Sequence, residues 1–135
     1  MNNNELHGSL VLVRPNLEND PVRQQGQIGI ISYVDLKDDV FVSFKNGTEG
    51  IYTGDSLLQL KNRDKIFTDL MSNASSLELK DFKDLYKISL LLDIGRSTDV
   101  WQALEIARDN PDIWKGSLVA IDNSMARQET QTVGR

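Results

Sequence analysis

The stretch "VFVSFKNGTEGIY", residues 40–52, decides the fold of the first half of this chain. Its apolar side chains alternate, so that Val40, Val42 and Phe44 share one face of an extended segment. Asn46-Gly47 follows them, and this pair favours a tight type I′ turn in which both central residues have positive φ. The stretch therefore predicts two antiparallel strands joined by a two-residue turn.

Short segments of the same kind lie on both sides of this hairpin. "GSLVLVR" (8–14), "GQIGIISYV" (26–34) and "TGDSLLQLK" (53–61) are rich in strand-forming residues and bounded by turn residues. A long loop, "PNLENDPVRQQ" (15–25), joins the first two of them. Several short strands in about sixty residues favour a small β-barrel, because closure removes exposed strand edges.

The second half of the chain changes to helical spacing. Apolar residues recur every three or four positions, and Gly95 and Asn110-Pro111 mark helix ends. The segment 88–92 is apolar nearly all round, which predicts that this end of its helix is buried in a core. A last helix is expected to carry an apolar stripe formed by Trp114, Leu118, Ile121 and Met125.

One of these helices also carries closely spaced charges of both signs. Asp81 and Asp84 are interleaved with three lysines, Lys80, Lys83 and Lys87. Opposite charges three or four residues apart are neighbours on a helix surface. The pattern predicts a solvated lattice of charges.

The spacing of the first half is similar to that of a known fold family. A glycine precedes the second strand, a "V-x-V-x-F-x-x-G" hairpin follows, and a tyrosine and two leucines close the segment. The matching positions are Gly26, Gly29, Val40, Val42, Phe44, Gly47, Tyr52, Leu57 and Leu60. Residues 8–61 thus resemble the SH3-like small barrels of the KOW, Tudor and Mib/Herc type, and the helical half is similar to small bacterial proteins that append helices to such a barrel. The resemblance implies binding of nucleic acid, methylated side chains or peptides.

We therefore predict an α+β protein in three parts. Residues 1–61 are expected to form an SH3-like five-stranded barrel, and residues 62–127 a bundle of three to four helices packed on that barrel. Residues 128–135 have no periodic pattern and are predicted to be a disordered tail.

Composition narrows the classes of function. The chain has 15 Lys and Arg against 20 Asp and Glu, and its net charge of −5 disfavours nucleic-acid binding. Such binding would require Arg14, Arg23, Lys37 and Lys45 to gather on one face. The N-terminus does not resemble a secretory signal, no apolar run is long enough to span a membrane, and a cytoplasmic protein is expected.

No catalytic machinery is recognisable in the sequence. There is no cysteine and only one histidine, His7, so neither a metal site nor any other cofactor is expected. No P-loop, dinucleotide-binding or nucleophile motif occurs. We predict that the protein is not an enzyme.

The candidate ligand-binding residues lie on the barrel and in its first loop. Tyr33, Phe41 and Tyr52 are expected to line a surface groove in which aromatic faces and a nearby acid attract a cation. The alternative is that these rings are barrel packing. Leu17, in the long first loop, is either part of a binding loop or part of a solvated cover over the barrel edge.

The leading hypothesis is a non-catalytic module that binds a protein or peptide through the barrel face or the long first loop. A nucleic-acid-binding module of the KOW or Tudor kind is the alternative. A small-molecule site between barrel and helices is a third and weaker hypothesis. The sequence leaves the identity of the partner and the oligomeric state open.

Overall fold

The computed structural model describes residues 9–121. The predicted disordered tail, His7 and Met125 lie outside these residues. The chain divides into two compact units, which are residues 9–58 with 120–121, and residues 59–119. The predicted packing of the helices on the strands stays a prediction.

The α+β class is confirmed, with strands first and helices after them. The sheet has six strands: β1 (Leu10–Val13), β2 (Ile28–Val34), β3 (Val40–Phe44), β4 (Glu49–Tyr52), β5 (Leu57–Leu60) and β6 (Leu118–Ala120). Their order is β4-β3-β2-β1-β5-β6. The pairings of β1 with β2 and β5, and of β3 with β2 and β4, are antiparallel. The first five strands fall on the segments that alternation predicted.

The sheet is open, and a closed five-stranded barrel is not observed among the described residues. The additional strand, β6, was wrongly expected to be part of a helix through Leu118 and Ile121. It lies beside β5, where the amide of Ile121 donates to the carbonyl of Leu57 at 3.1 Å and that of Lys61 to the carbonyl of Ser117 at 2.8 Å. Three residues are too few for periodicity to separate strand from helix, so pairing with β5 decides the conformation.

The β3–β4 hairpin forms as predicted, but with a different turn. Gly47 has φ of +87°, whereas Asn46 does not have a positive φ. The amide of Gly47 donates to the carbonyl of Phe44 at 3.0 Å, and that of Phe44 to the carbonyl of Thr48 at 2.9 Å. The loop therefore has three residues and ends in a left-handed glycine, in place of the two-residue type I′ turn.

One face of the strands forms the core of the first unit. The alternating side chains Val40, Val42 and Phe44 all lie in it, as their spacing predicted. The other buried members are Val11, Val13, Ile31, Val34, Tyr52, Leu57 and Ile121. Leu17 and Val22 of the first loop pack against this cluster.

The second unit contains α1 (Arg63–Asn73), α2 (Leu79–Ile94), α3 (Ser97–Asp109) and α4 (Trp114–Ser117). The side chain of Asn62 caps α1 by accepting hydrogen bonds from the amides of Asp64 and Lys65. Gly95 ends α2 in the left-handed conformation that the sequence predicted, with φ of +81°.

Buried polar side chains connect α2 to the end of α3. The amide group of Asn110 donates to Asp81 Oδ1 at 3.0 Å and to Asp84 Oδ2 at 2.9 Å. Asp84 also accepts from Lys80 at 2.9 Å, as the charge pattern predicted. Asp81 itself is buried, so the solvated lattice expected there is wrong at that position. The asparagine supplies the hydrogen bond that a buried carboxylate requires.

Candidate binding face of the sheet

A bulge in β2 turns one predicted aromatic side chain outward. Ile31 pairs with Val42 and Tyr33 pairs with Phe41, so Ser32 is the extra residue between the two pairs. Strict alternation would put Tyr33 on the same face as the buried Ile31. Because of the bulge, Tyr33 instead lies on the solvent-facing side of the sheet.

Three apolar side chains form a row across β2, β3 and β4 on that outer side. Phe41 pairs with Tyr33 on one strand and with Ile51 on the other. The rings of Tyr33 and Phe41 meet edge to face, with centroids 5.7 Å apart. Tyr33 is 55% exposed and Ile51 is 58% exposed, so the row is open to solvent.

A neighbouring row adds one more apolar side chain and a carboxylate. Ile30 pairs with Ser43, which pairs with Glu49. The Glu49 carboxylate accepts hydrogen bonds through Oε2 from the hydroxyls of Ser32 at 3.3 Å and Ser43 at 3.2 Å. Glu49 is the only charged residue in β2, β3 and β4. We call this surface, made by Ile30, Tyr33, Phe41, Glu49 and Ile51, the outer patch.

Tyr52, the third predicted member of the aromatic groove, lies on the opposite face of the sheet. It pairs with Val40, is buried, and meets the ring of Phe44 edge to face at 6.3 Å. Its hydroxyl donates to Asp20 Oδ2 at 2.8 Å. Burial, followed by the hydrogen bond to Asp20, raises the pKa of Tyr52 well above its ordinary range. The structure therefore brings Tyr33 and Phe41 together and separates Tyr52 from them.

The turn explains why the sequence placed Tyr52 with the wrong neighbours. A two-residue loop at Asn46-Gly47 would have paired Phe41 with Tyr52 on the outer side. The three-residue loop shifts the register by one, so Phe41 pairs with Ile51. A shift of one residue exchanges the two faces of a strand. Ile51 and Glu49 are thus outer residues that the sequence analysis missed. A three-residue turn is the feature that would have identified them, because it sets the register of β3 and β4.

The long first loop is folded onto the core of its own unit. Asp20 is buried and accepts hydrogen bonds from the amides of Val22 and Gln24, each at 3.0 Å, in addition to the Tyr52 hydroxyl. Leu17 is half-buried against the core, and its carbonyl accepts from the side chain of Gln25 at 3.0 Å. Leu17 therefore contributes packing, and it is not part of the outer patch.

A shallow depression of about 430 Å³ lies along the same loop. Five of its six lining residues are polar or charged: they are Glu18, Asn19, Asp20, Pro21, Arg23 and Gln25, and no aromatic side chain lines it. Pockets that hold small molecules are mostly lined by apolar and aromatic side chains. This depression is therefore a poorer candidate site than the outer patch.

The four basic side chains that nucleic-acid binding would require do not all lie at one end of the sheet. Lys37 precedes β3 and Lys45 follows it, so a strand of five residues, about 17 Å long, separates them. Arg14 follows β1 and Arg23 lies in the first loop, at the same end of the sheet as Lys45. Lys37 and Lys45 are thus at opposite ends of one strand.

Within residues 9–121, no group of three or more His, Asp or Glu side chains is placed to hold a metal ion. None of the helices in this part of the chain combines the length and apolarity needed to cross a membrane.

Comparison with other proteins gives no family assignment. No protein-family model matches the chain, and neither do the curated proteins or the solved structures with which it was compared.

Proposed function

We propose that this protein is a non-catalytic interaction module that binds a protein or peptide segment through the outer patch. The observation that carries the proposal is the exposed row formed by Tyr33, Phe41 and Ile51. Exposed apolar side chains are common singly, whereas a contiguous group with a polar border is typical of a binding surface. Leu36, in the turn between β2 and β3, is 91% exposed and follows Tyr33 by three residues.

We also propose that the first unit is related to the SH3-like small barrels. Support comes from the order of its first five strands, β4-β3-β2-β1-β5, in which the fifth strand returns to pair with the first. The long first loop between β1 and β2 is a further similarity.

The chemistry of the outer patch favours a segment that is apolar with a basic residue. Aromatic rings offer large contact areas, and they attract cations over their faces. The single charge in the three strands, Glu49, is held beside them by two hydroxyls. An extended peptide with apolar side chains and one Lys or Arg would match both features.

The test is selection of peptides from a random displayed library on the full-length protein. A variant with Tyr33→Ser and Ile51→Thr removes the row and changes only exposed side chains, which usually alters stability by less than about 0.5 kcal/mol each. We expect the selected peptides to bind this variant at least about tenfold more weakly, a loss of about 1.4 kcal/mol. Titration by fluorescence anisotropy measures the effect. Tyr52 is left unchanged because its side chain is in the core.

The matched control is a variant with Glu18→Ser and Gln25→Thr, which alters the polar depression of the first loop. It is expected to bind the same peptides as the wild type does. Equal binding by the Tyr33/Ile51 variant and the wild type would contradict the proposal. Tight binding of single-stranded or duplex oligonucleotides that weakens steeply with salt would replace it with nucleic-acid recognition.

A further inference from the structure

Helix α2 presents a second apolar surface, in the other unit of the chain. Five apolar side chains follow one another at intervals of three or four residues along its sixteen residues. We call these five side chains the α2 stripe; they are Leu79, Phe82, Tyr86, Leu90 and Ile94. Leu79 is 68% exposed and Ile94 is 59% exposed, and Phe82 and Tyr86 stack with ring centroids 6.2 Å apart.

The opposite side of α2 is the side that this helix buries. Its buried residues are Asp81, Leu85, Ile88, Ser89 and Leu91. The sequence predicted that the end of α2 is buried all round, and this is wrong because Leu90 and Ile94 face solvent. The stripe is therefore a surplus apolar face, continuous over about 24 Å of helix.

The terminal segments of the chain are poorly suited to cover this face. Residues 1–8 contain two large apolar side chains, Met1 and Leu6, and residues 122–135 contain Met125 and Val133. A cover for five consecutive apolar positions needs a similar number of apolar side chains at helical spacing. Residues 1–8 and 122–135 therefore lack the pattern that such a cover requires.

Charge on one side of the stripe indicates what a partner molecule would carry. At about 100° per residue, Lys83 and Lys87 lie about 40° and 80° to one side of Leu79. Both are exposed, and the ion pairs among residues 9–121 do not include either of them. Lys80 lies on the same side but is paired with Asp84 at 2.9 Å. The stripe thus has a basic border on this side, while Asp93 lies on the other side.

A second copy of the chain packed antiparallel does not match this border. In an antiparallel pair related by a two-fold axis, each flank of α2 meets the same flank of the other copy. Lys83 and Lys87 would then face each other, which is unfavourable.

We propose that the α2 stripe docks an amphipathic helix of a partner protein whose apolar face is bordered by Asp or Glu. Such a helix lays its apolar side chains on the stripe, and its carboxylates lie against Lys83 and Lys87. This surface is separate from the outer patch, so the proposal stands whether or not the outer patch binds peptides.

The test uses two synthetic helical peptides of sixteen residues, labelled with a fluorophore. Both have leucines on one face, and the border positions are Glu in one peptide and Lys in the other. We expect the acidic peptide to bind the full chain at least about tenfold more tightly than the basic peptide, as measured by fluorescence anisotropy. Lys83→Glu with Lys87→Glu is expected to reverse this preference, and Leu90→Gln is expected to weaken the acidic peptide's binding by a similar factor.

The control variant is Lys37→Glu with Lys45→Glu. It changes the net charge by the same amount as Lys83→Glu with Lys87→Glu does, but at turns of the sheet. It is expected to retain the preference for the acidic peptide. A preference that survives Lys83→Glu with Lys87→Glu would overturn the proposal, as would the absence of any preference. Self-association in sedimentation equilibrium that Leu90→Gln abolishes would assign the stripe to a second copy and overturn it too.

Discussion

The contact between Tyr52 and Asp20 is the residue-scale feature that organises the first unit. The Asp20 carboxylate accepts hydrogen bonds from two amides of its own loop and from the Tyr52 hydroxyl on β4. Both side chains are buried, at 7% and 5% exposed. A buried carboxylate needs such partners, because an unpaired charge in the interior is costly. This hydrogen bond thus joins the long loop to the sheet, together with the packing of Leu17 and Val22 on the core.

Tyr52→Phe is expected to destabilise the protein by about 1–3 kcal/mol, because it leaves the buried Asp20 carboxylate short of one donor. Urea unfolding measures this loss. Tyr33→Phe is the matched control, because it removes the hydroxyl of an exposed tyrosine. It is expected to lower the free energy of unfolding by less than about 0.5 kcal/mol. Equal effects of the two changes would show that the Asp20 contact does not stabilise the fold.

The same contact makes stability depend on alkaline pH. Burial and the hydrogen bond to Asp20 raise the pKa of Tyr52 above the ordinary value of 10.0, so the folded protein retains the phenolic proton more strongly than the unfolded chain does. This contribution is fully present below about pH 10 and is lost as the pH rises through the raised pKa. The difference in unfolding free energy between wild type and Tyr52→Phe is therefore expected to be constant at neutral pH and to shrink above about pH 10.

At the scale of elements, β2 and β3 approach each other closely around one glycine. A Cβ atom added to Gly29 would lie 2.5 Å from Val42 Cγ1 and 2.9 Å from the carbonyl oxygen of Ser43. Gly47 differs, because open space surrounds it and its φ of +87° is the constraint. The first glycine is required by packing between strands and the second by the conformation of the turn.

Gly29→Ala is therefore expected to cost about 1–3 kcal/mol through overpacking, and Gly47→Ala about 1 kcal/mol through its left-handed conformation. A double-mutant cycle with Val42→Ala distinguishes the two causes. Removing the Val42 methyl groups should relieve part of the Gly29→Ala penalty, with a coupling of at least about 0.5 kcal/mol. No coupling is expected with Gly47→Ala, and urea unfolding gives all the values. Additive behaviour at Gly29 would contradict the proposed overlap.

At the scale of the whole molecule, the chain leaves the sheet after β5 and returns to it in β6. Ile121 is buried in the core of the first unit, although the second unit, 59–119, separates it in sequence from the other members of that core. Its amide bonds to the carbonyl of Leu57. The first unit is thus built from two distant parts of the chain.

Ile121→Ala is expected to destabilise the first unit by about 2–4 kcal/mol, because it leaves a cavity in the core. Val119→Ala, in the same strand, changes a side chain that is 47% exposed and is expected to cost less than about 1 kcal/mol. Amide hydrogen exchange in β1 and β2 reports the effect within the first unit. Similar exchange in both variants would mean that Ile121 is not part of this core.

The sequence by itself determined the class of the fold, five of the six strands and the faces that carry Val40, Val42 and Phe44. These features follow from local patterns, since alternation and helical spacing depend on neighbours within a few residues. Asn46-Gly47 also located the hairpin, and Gly95 located the end of α2. Of the three aromatic residues that the sequence grouped together, Tyr33 and Phe41 have adjacent rings in the structure.

Only the tertiary structure decided which face Tyr52 occupies. The register of β3 and β4 depends on one residue in the turn, and the observed register places Tyr52 where it packs on Phe44 and bonds to Asp20, thirty-two residues away in sequence. The conformation of β6 was decided in the same way, because a three-residue strand takes its form from its partner β5. In both cases contacts distant in sequence select between local conformations of similar free energy, and no pattern within the segment encodes the choice.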